Sequence, residues 1–117
     1  MPKTYRQSLG RWGEQVAAAY LEAQGYAILE RNFRTPYGEI DLVAQHQPSA
    51  SDEPTSQAEF LVTVFVEVKT WPHGDASDLE YVIGRTKRKR MVETAKCFLN
   101  ANRQYSGMYV RFDVVLI

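Results

Sequence analysis

The sequence lacks several features that would assign it to a class at once. It contains a single cysteine, Cys97, so it cannot form an internal disulfide, which fits a reducing compartment. No window approaches the roughly 20 apolar residues of a membrane span, and residues 1–6 lack the apolar segment of a signal peptide. The 117 residues suffice for one domain but not for two. We therefore expect one cytoplasmic domain over 1–117 that does not use a membrane.

The chain also lacks an excess of basic over acidic residues, and its formal net charge is +0. A neutral net charge by itself argues against a nucleic-acid-binding protein. The 14 basic and 14 acidic residues are, however, segregated along the chain. From Glu39 to Glu80 there are nine acids and one base, Lys69, whereas after Glu80 there are eight bases and two acids. Such segregation can place a negative pocket beside a positive rim.

The run over 60–70 predicts a strand that is buried on both faces. One face carries Val62, Val64, Val66 and Val68, and the other carries Leu61, Thr63, Phe65, Glu67 and Lys69. Burying Glu67 and Lys69 is costly unless something compensates their charges. One interpretation is a Glu–Lys pair on a strand that is exposed, and the other is a functional site, which carboxylates elsewhere in the chain favour.

The remaining pattern predicts an α/β fold with the order helix, three strands, helix, strand. The first helix spans 8–24 with Ser8 as its N-cap, and the second spans 86–102. The other strands span 26–34, 39–44 and 109–117, with a hairpin turn at 35–38 and a flexible acidic loop at 45–59. Because a helix connects the central and last strands, these two should be parallel within a mixed β-sheet flanked by helices.

Two further carboxylates lie where this fold would bring them towards Glu67. Asp41 shares a predicted strand face with Glu39 and Val43, while Ile40, Leu42 and Ala44 share the other. Glu14 lies at the margin of an apolar helix stripe formed by Leu9, Gly13, Val16 and Tyr20, so it is either a solvated acid or a cleft carboxylate.

Adjacent carboxylates repel each other unless a proton or a metal intervenes, and their oxygens suit Mg²⁺ or Mn²⁺. Asp41 and Glu67 are therefore candidate metal ligands, with Lys69 to orient water and stabilise phosphate charge.

The second helix begins with a run of cations: Arg85, Lys87, Arg88, Lys89 and Arg90. Cations oppose the helix dipole there, but a helix N-terminus with added cations suits a phosphate. Lys87 lies one turn before Met91 and should point toward the sheet. The alternative is a solvated turn in which Lys87 extends its amine to water.

Five segments together resemble the YraN-like family of small bacterial proteins: GRWGE at 10–14, RNFR at 31–34, GEIDL at 38–42, FVEVKT at 65–70 and RFD at 111–113. That family is similar to Holliday-junction resolvases and to restriction-endonuclease-like nucleases. The resemblance implies a restriction-endonuclease-like αβββαβ core, a metal held by Asp41 and Glu67 with help from Glu14, and Lys69 as the catalytic lysine. Lys87 matches a lysine at the start of the family's second helix.

One departure from the family is Trp71, which follows the Val-Lys-Thr segment where arginine is usual. It either removes a phosphate contact or replaces that contact with a base-stacking surface. We expect a Mg²⁺- or Mn²⁺-dependent nuclease of DNA, with branched or structured DNA as a candidate substrate. The expected nucleic-acid contacts are Arg85, Lys87, Arg88, Arg90 and Trp71.

Two other functions stay open from the sequence. The first is a non-catalytic nucleic-acid-binding module on the same fold, and the second is a protein-contact role for the basic turn at 85–90. Cutting both strands of a junction needs two sites, so by analogy with resolvases a homodimer is a candidate assembly.

Overall fold

The computed structural model describes residues 5–46, 61–70, 84–106 and 109–117. Its elements are α1 (Tyr5–Ala23), β1 (Ala27–Thr35), β2 (Gly38–His46), β3 (Val62–Lys69), α2 (Arg85–Ala101), a 3₁₀ turn (Arg103–Tyr105) and β4 (Tyr109–Leu116). The predicted α/β class and the order αβββαβ are confirmed. No helix within the described residues is long and apolar enough to cross a membrane.

The four strands form one mixed sheet in the order β1-β2-β3-β4. The first three strands pair antiparallel, and β4 pairs parallel to β3. The parallel pair is as predicted, because the connection between its strands passes through α2. Strand β3 therefore has a neighbour on both of its edges, and a polar residue at its end lies inside the sheet.

Each face of the sheet is covered by one helix. The core beneath α1 contains Ala17, Ala18, Leu21, Leu42, Val64 and Val66, and the core beneath α2 contains Ile40, Val43, Phe65, Ala95 and Phe98. Successive residues of β3 enter different cores, so the prediction that this strand is buried on both faces is confirmed. Glu67 lies on the face of β3 that is turned toward α2, so its carboxylate lies between the sheet and α2.

Helix α1 begins earlier than predicted. It starts at Tyr5, so the prediction that Ser8 is its N-cap is wrong. Serine inside a helix costs only a few tenths of a kcal/mol relative to the best helix formers. The helical turns on either side of Ser8 outweigh this small cost. The predicted end is confirmed, since Gly25 follows the helix with φ +91°, a conformation that glycine adopts without a steric penalty.

The buried stripe of α1 is narrower and made of smaller residues than predicted. It runs through Gly13, Ala17 and Leu21, whereas Tyr20 is 57% exposed. The prediction that Leu9, Gly13, Val16 and Tyr20 form the buried stripe is therefore wrong for Tyr20. Small side chains let a helix approach the sheet closely, and that gain in packing outweighs the burial of a larger ring.

Strand β2 runs beyond its predicted bounds of 39–44. Strand β2 continues through Gln45 and His46, which pair with Thr63 and Val62 on β3. The expected loop at 45–59 therefore begins later than predicted, and residues 47–59 lie outside the described part of the chain. His46, which the pattern places on the surface, is half-buried and stacks on Tyr26 with ring centroids 4.1 Å apart.

The alternation of faces breaks in the β1–β2 hairpin at Asn32 and Asp41, which lie opposite each other. Phe33 pairs with Ile40, and both pack into the core beneath α2. Leu42, two residues further along β2, enters the core beneath α1 instead. The prediction that Ile40 and Leu42 share a face is therefore wrong. Asn32 has φ +53°, a left-handed conformation that asparagine tolerates better than most residues, and it turns the hairpin at this point.

Helix α1 approaches the end of β3 through Gly13. A Cβ atom added there would lie 2.4 Å from Thr70 Oγ1, well inside van der Waals contact. We expect Gly13→Ala to lower the free energy of unfolding by about 1–2 kcal/mol, because overpacking outweighs the better helix propensity of alanine. Urea denaturation would measure this change. Adding Thr70→Ala should restore most of the loss, and an equally unstable double variant would contradict the contact.

Candidate active site

Strands β2 and β3 separate at the position of Asp41 and Glu67. The last pair of their register is Leu42–Val66, and these two acids come next on the two strands. Beyond the split, Asp41 Oδ2 accepts a hydrogen bond from the backbone N–H of Val68 at 2.7 Å. The carboxylate thereby replaces the backbone carbonyl of β2 that would accept this hydrogen bond if the regular pairing of β2 and β3 continued. This bond fixes Asp41 close to the end of β3 that carries Glu67.

The Glu67 carboxylate is buried and contacts two lysines. Glu67 is 5% exposed, and its Oε1 lies 2.5 Å from Lys87 Nζ and 3.5 Å from Lys69 Nζ. Burial lowers the pKa of Lys87, but the hydrogen bond and the negative charge of Glu67 outweigh this effect and leave its pKa above the ordinary value. The predicted orientation of Lys87 toward the sheet is confirmed. These cations offset the cost of burying the charge on Glu67.

Asp41 makes no ion pair with a described residue, although Lys87 acts on it through longer-range electrostatics, and its burial makes it hard to ionise. Burial and then the negative charge of Glu67 raise the pKa of Asp41 to about 7, even though the hydrogen bond from Val68 lowers it. The charges of Glu14 and Glu39 raise it further. Near neutral pH the Asp41 carboxyl group is consequently partly protonated.

Two clefts meet at Asp41, one on each side of the split. The α1 cleft has a volume of about 420 Å³ and is lined by Gly10, Arg11, Glu14, Asn32, Arg34, Glu39 and Asp41. The α2 cleft has a similar volume of about 420 Å³ and is lined by Gly38, Glu39, Asp41, Glu67, Thr86, Lys87, Arg90 and Met91. Asp41 and Glu39 line both clefts, so the two form neighbouring parts of one depression around the candidate site.

Three of the four residues expected to be catalytic line this depression, and the fourth, Lys69, contacts Glu67 beside it. Asp41, Glu67 and Lys69 are clustered at the split, while Glu14 reaches it from α1 and lines the α1 cleft with Asp41. Glu14 thus lies where its interpretation as a cleft carboxylate would place it. Its placement depends on the close approach of Gly13, the preceding residue, to the end of β3.

The residues expected to contact nucleic acid are more scattered. Lys87 and Arg90 line the α2 cleft. Arg88 lines a separate, largely apolar pocket between α2 and β4. Arg85 is exposed and lines none of these cavities. Trp71 lies outside the described residues.

The donors at the split suit a hard cation. Within 5–46, 61–70, 84–106 and 109–117, no three histidine, cysteine, aspartate or glutamate side chains are arranged as a metal-binding group. Asp41 and Glu67 remain as a pair of carboxylates, with Glu14 in the same depression. Mg²⁺ is usually bound by one or two carboxylates and keeps several waters, so this pair fits such an ion.

Five residues of the α1 cleft were missed as site residues from the sequence: Gly10, Arg11, Asn32, Arg34 and Glu39. The signal for Asn32 was available, because asparagine is rare within strands and marks a left-handed residue or a turn. Nothing in the spacing of the arginines connects them with Asp41, which is distant in the chain. Their position beside Asp41 depends on the turn that Asn32 makes in the hairpin.

Fold and site together define a small α/β protein with carboxylates and lysines gathered where two central strands part. A sequence model of the uncharacterised protein family UPF0102 matches residues 13–117. A UPF0102 protein of Treponema denticola is 44% identical over 110 residues, covering 94% of this chain and 80% of the relative. One of Treponema pallidum is 41% identical over 117 residues, covering 100% and 82%. One of Clostridium perfringens is 34% identical over 115 residues, covering 98% and 83%.

The chain therefore belongs to the UPF0102 family, and the predicted membership of the YraN-like family is confirmed. The further likeness to resolvases and restriction-endonuclease-like nucleases stays a prediction.

The raised pKa of Asp41 makes stability depend on pH with a definite sign. Between about pH 4 and about pH 7 the folded protein binds more protons at Asp41 than the unfolded chain does, so this group makes stability fall as pH rises. Asp41→Asn keeps an acceptor for Val68 and removes the titration. Its stability relative to wild type should increase from about pH 4 to about pH 7 and then level off, with a slope of up to about 1.4 kcal/mol per pH unit.

Urea denaturation of both proteins at several pH values would measure this difference. Glu30→Gln on the exposed part of β1 corrects for the general loss of one negative charge. A difference between wild type and Asp41→Asn that stays constant across this range would contradict the burial of an uncompensated carboxyl group.

Proposed function

We propose that this protein is a metal-dependent nuclease that hydrolyses phosphodiester bonds in DNA, with branched or structured DNA as a candidate substrate. The observation that carries the proposal is the convergence of Asp41, Glu67 and Lys69 at the β2–β3 split, beside a cleft lined by Lys87 and Arg90. Carboxylates and cations gathered in one cleft are what phosphoryl transfer requires, since the first hold a metal and the second neutralise phosphate.

In this proposal Asp41 and Glu67 hold Mg²⁺ or Mn²⁺, and Glu14 assists from α1. When bound, the ion neutralises phosphate charge and lowers the pKa of water at the site. The Val68 N–H keeps Asp41 aimed at the split. Lys69, a partly exposed side chain at the end of β3, is placed to stabilise the negative charge that develops on the phosphate as water attacks and the P–O bond breaks.

Lys87 holds the Glu67 carboxylate in place and lies at the rim where a phosphate would enter. Arg90 shares the α2 cleft, so both cations would contact the phosphate backbone. Arg85 and Arg88 would extend this contact along the first turn of α2. Trp71 keeps its proposed stacking role on the sequence argument alone.

A binding module without catalysis is the second candidate function. It is favoured by the contacts of Glu67, whose Oε1 already has two lysine partners, so that its charge is compensated without a metal. In that case the cluster would stabilise the fold, and the cations around the α2 cleft would supply affinity for phosphate.

Two broader expectations belong to the same proposal. A cytoplasmic location follows from the single cysteine in a protein proposed to act on DNA. A homodimer follows by analogy with resolvases, because one chain supplies one site and a junction has two strands to cut.

Cleavage of a panel of DNA substrates tests the proposal. Single-stranded, duplex, flap and four-way-junction DNA would be incubated with Mg²⁺ or Mn²⁺ and wild type, Glu67→Gln, Lys69→Met or Lys96→Met. We expect wild type and Lys96→Met to cut at least one substrate, and the other two variants to lose at least about 100-fold in rate. Lys96 is a matched control, since it lies on the exposed face of α2 and pairs with Glu93.

Binding of the same DNA separates the two candidate functions. Variants that bind but do not cut would support the nuclease. A folded wild type that binds DNA and cuts none of the substrates would favour the binding module.

A further inference from the structure

Gly10 occupies a helical position at which packing against the described residues does not require glycine. It is the sixth residue of α1, beyond the first turn, where glycine costs roughly 0.5–1 kcal/mol relative to alanine. A Cβ added at Gly10 would meet no atom of the described residues within 4 Å. Gly13 is the opposite case in the same helix, because Thr70 blocks its Cβ. A glycine that is costly and not needed for packing indicates that something outside the described fold approaches this part of the helix closely.

The surroundings of Gly10 indicate what approaches. It lines the α1 cleft together with two arginines, Arg11 and Arg34, and with the three acids of that cleft, on the side of Asp41 that faces away from α2. Arg34 is paired with Glu39 at 3.3 Å. Arg11 is exposed and makes no ion pair with a described residue, so its guanidinium is available for an anion. An open backbone beside an available arginine suits a phosphate group.

The two clefts place cations on both sides of Asp41. On one side are Lys87 and Arg90, and on the other are Arg11 and Arg34. A free phosphate would need one of these sites, whereas a chain of linked phosphates would use both and cross Asp41 between them. The arrangement therefore favours a polymer over a small ligand.

We infer that the α1 cleft is a second binding site for the phosphodiester backbone of the nucleic-acid strand. In it Gly10 allows close approach and Arg11 contacts a phosphate on the far side of Asp41 from α2. This inference rests on the proposed function and deepens it, since it assigns a path for the strand across the site. The α1 cleft thereby becomes part of the binding surface, in addition to the basic turn of α2.

Substitutions at Gly10 test the inference with two readouts that should move in opposite directions. Gly10→Ala and Gly10→Gln both improve helix propensity, so each should raise the thermal midpoint. Both should weaken DNA binding, and glutamine more than alanine because it fills more of the cleft. A purely structural glycine would lose stability and binding together. Binding would be measured by fluorescence anisotropy of a labelled oligonucleotide in Ca²⁺, which limits cleavage.

Arg11→Gln provides the second variant, with Arg103→Gln as its control. Arg103 is exposed in the 3₁₀ turn after α2, roughly 20 Å along that helix from Lys87 at 1.5 Å per residue. We expect Arg11→Gln to weaken binding and to reduce the slope of log affinity against log salt by about 0.7–0.9, the value of one phosphate contact. Arg103→Gln should leave that slope unchanged.

The outcomes separate this inference from the proposed function. Gly10 variants that gain stability and keep full affinity, with an Arg11→Gln slope equal to that of Arg103→Gln, would overturn the α1 site. If Arg90→Gln weakens binding in the same experiment, the proposed function survives that result. A folded wild type that binds none of the DNA substrates would overturn both.

Discussion

The hydrogen bond from the Val68 N–H to the Asp41 carboxylate is the interaction on which the site depends. The register between β2 and β3 ends at Leu42–Val66, and a donor left without an acceptor at this split would cost about 1–3 kcal/mol. Because the acceptor is a carboxylate and not a backbone carbonyl, the opening of the sheet places a carboxyl group beside Glu67. One bond thus sets both the geometry of the strands and the electrostatics of the site.

The two carboxyl groups at the split are compensated unequally. Glu67 forms ion pairs with Lys87 and Lys69, whereas Asp41 accepts a hydrogen bond from a neutral amide, lies near the charges of other acids, and interacts with Lys87 at longer range. Ionisation is therefore most costly at Asp41, and an added cation would stabilise that group most. The neutral net charge of the chain conceals this local arrangement, because the acids and the bases come from different segments.

Most of the fold could be predicted because its signals are local. Alternating valines predicted the burial of β3, and the spacing of Lys87 from Met91 predicted its orientation toward the sheet. The α1 cleft could not be predicted, because its shape depends on one residue. Asn32 breaks the period of two on which strand faces are assigned, so the faces beyond it are reversed. The open space at Gly10 likewise depends on tertiary distances that helical periodicity does not contain.

The measurement that tests the account most directly is Mn²⁺ binding, followed by the electron paramagnetic resonance signal of the free ion. Wild type would be compared with Asp41→Asn, Glu67→Gln and the control Lys96→Met. We expect about one Mn²⁺ to be bound by wild type and by the control. We expect at least about tenfold weaker binding in both carboxylate variants. Equal binding by all four proteins, or none by the folded wild type, would contradict a cation site at the β2–β3 split.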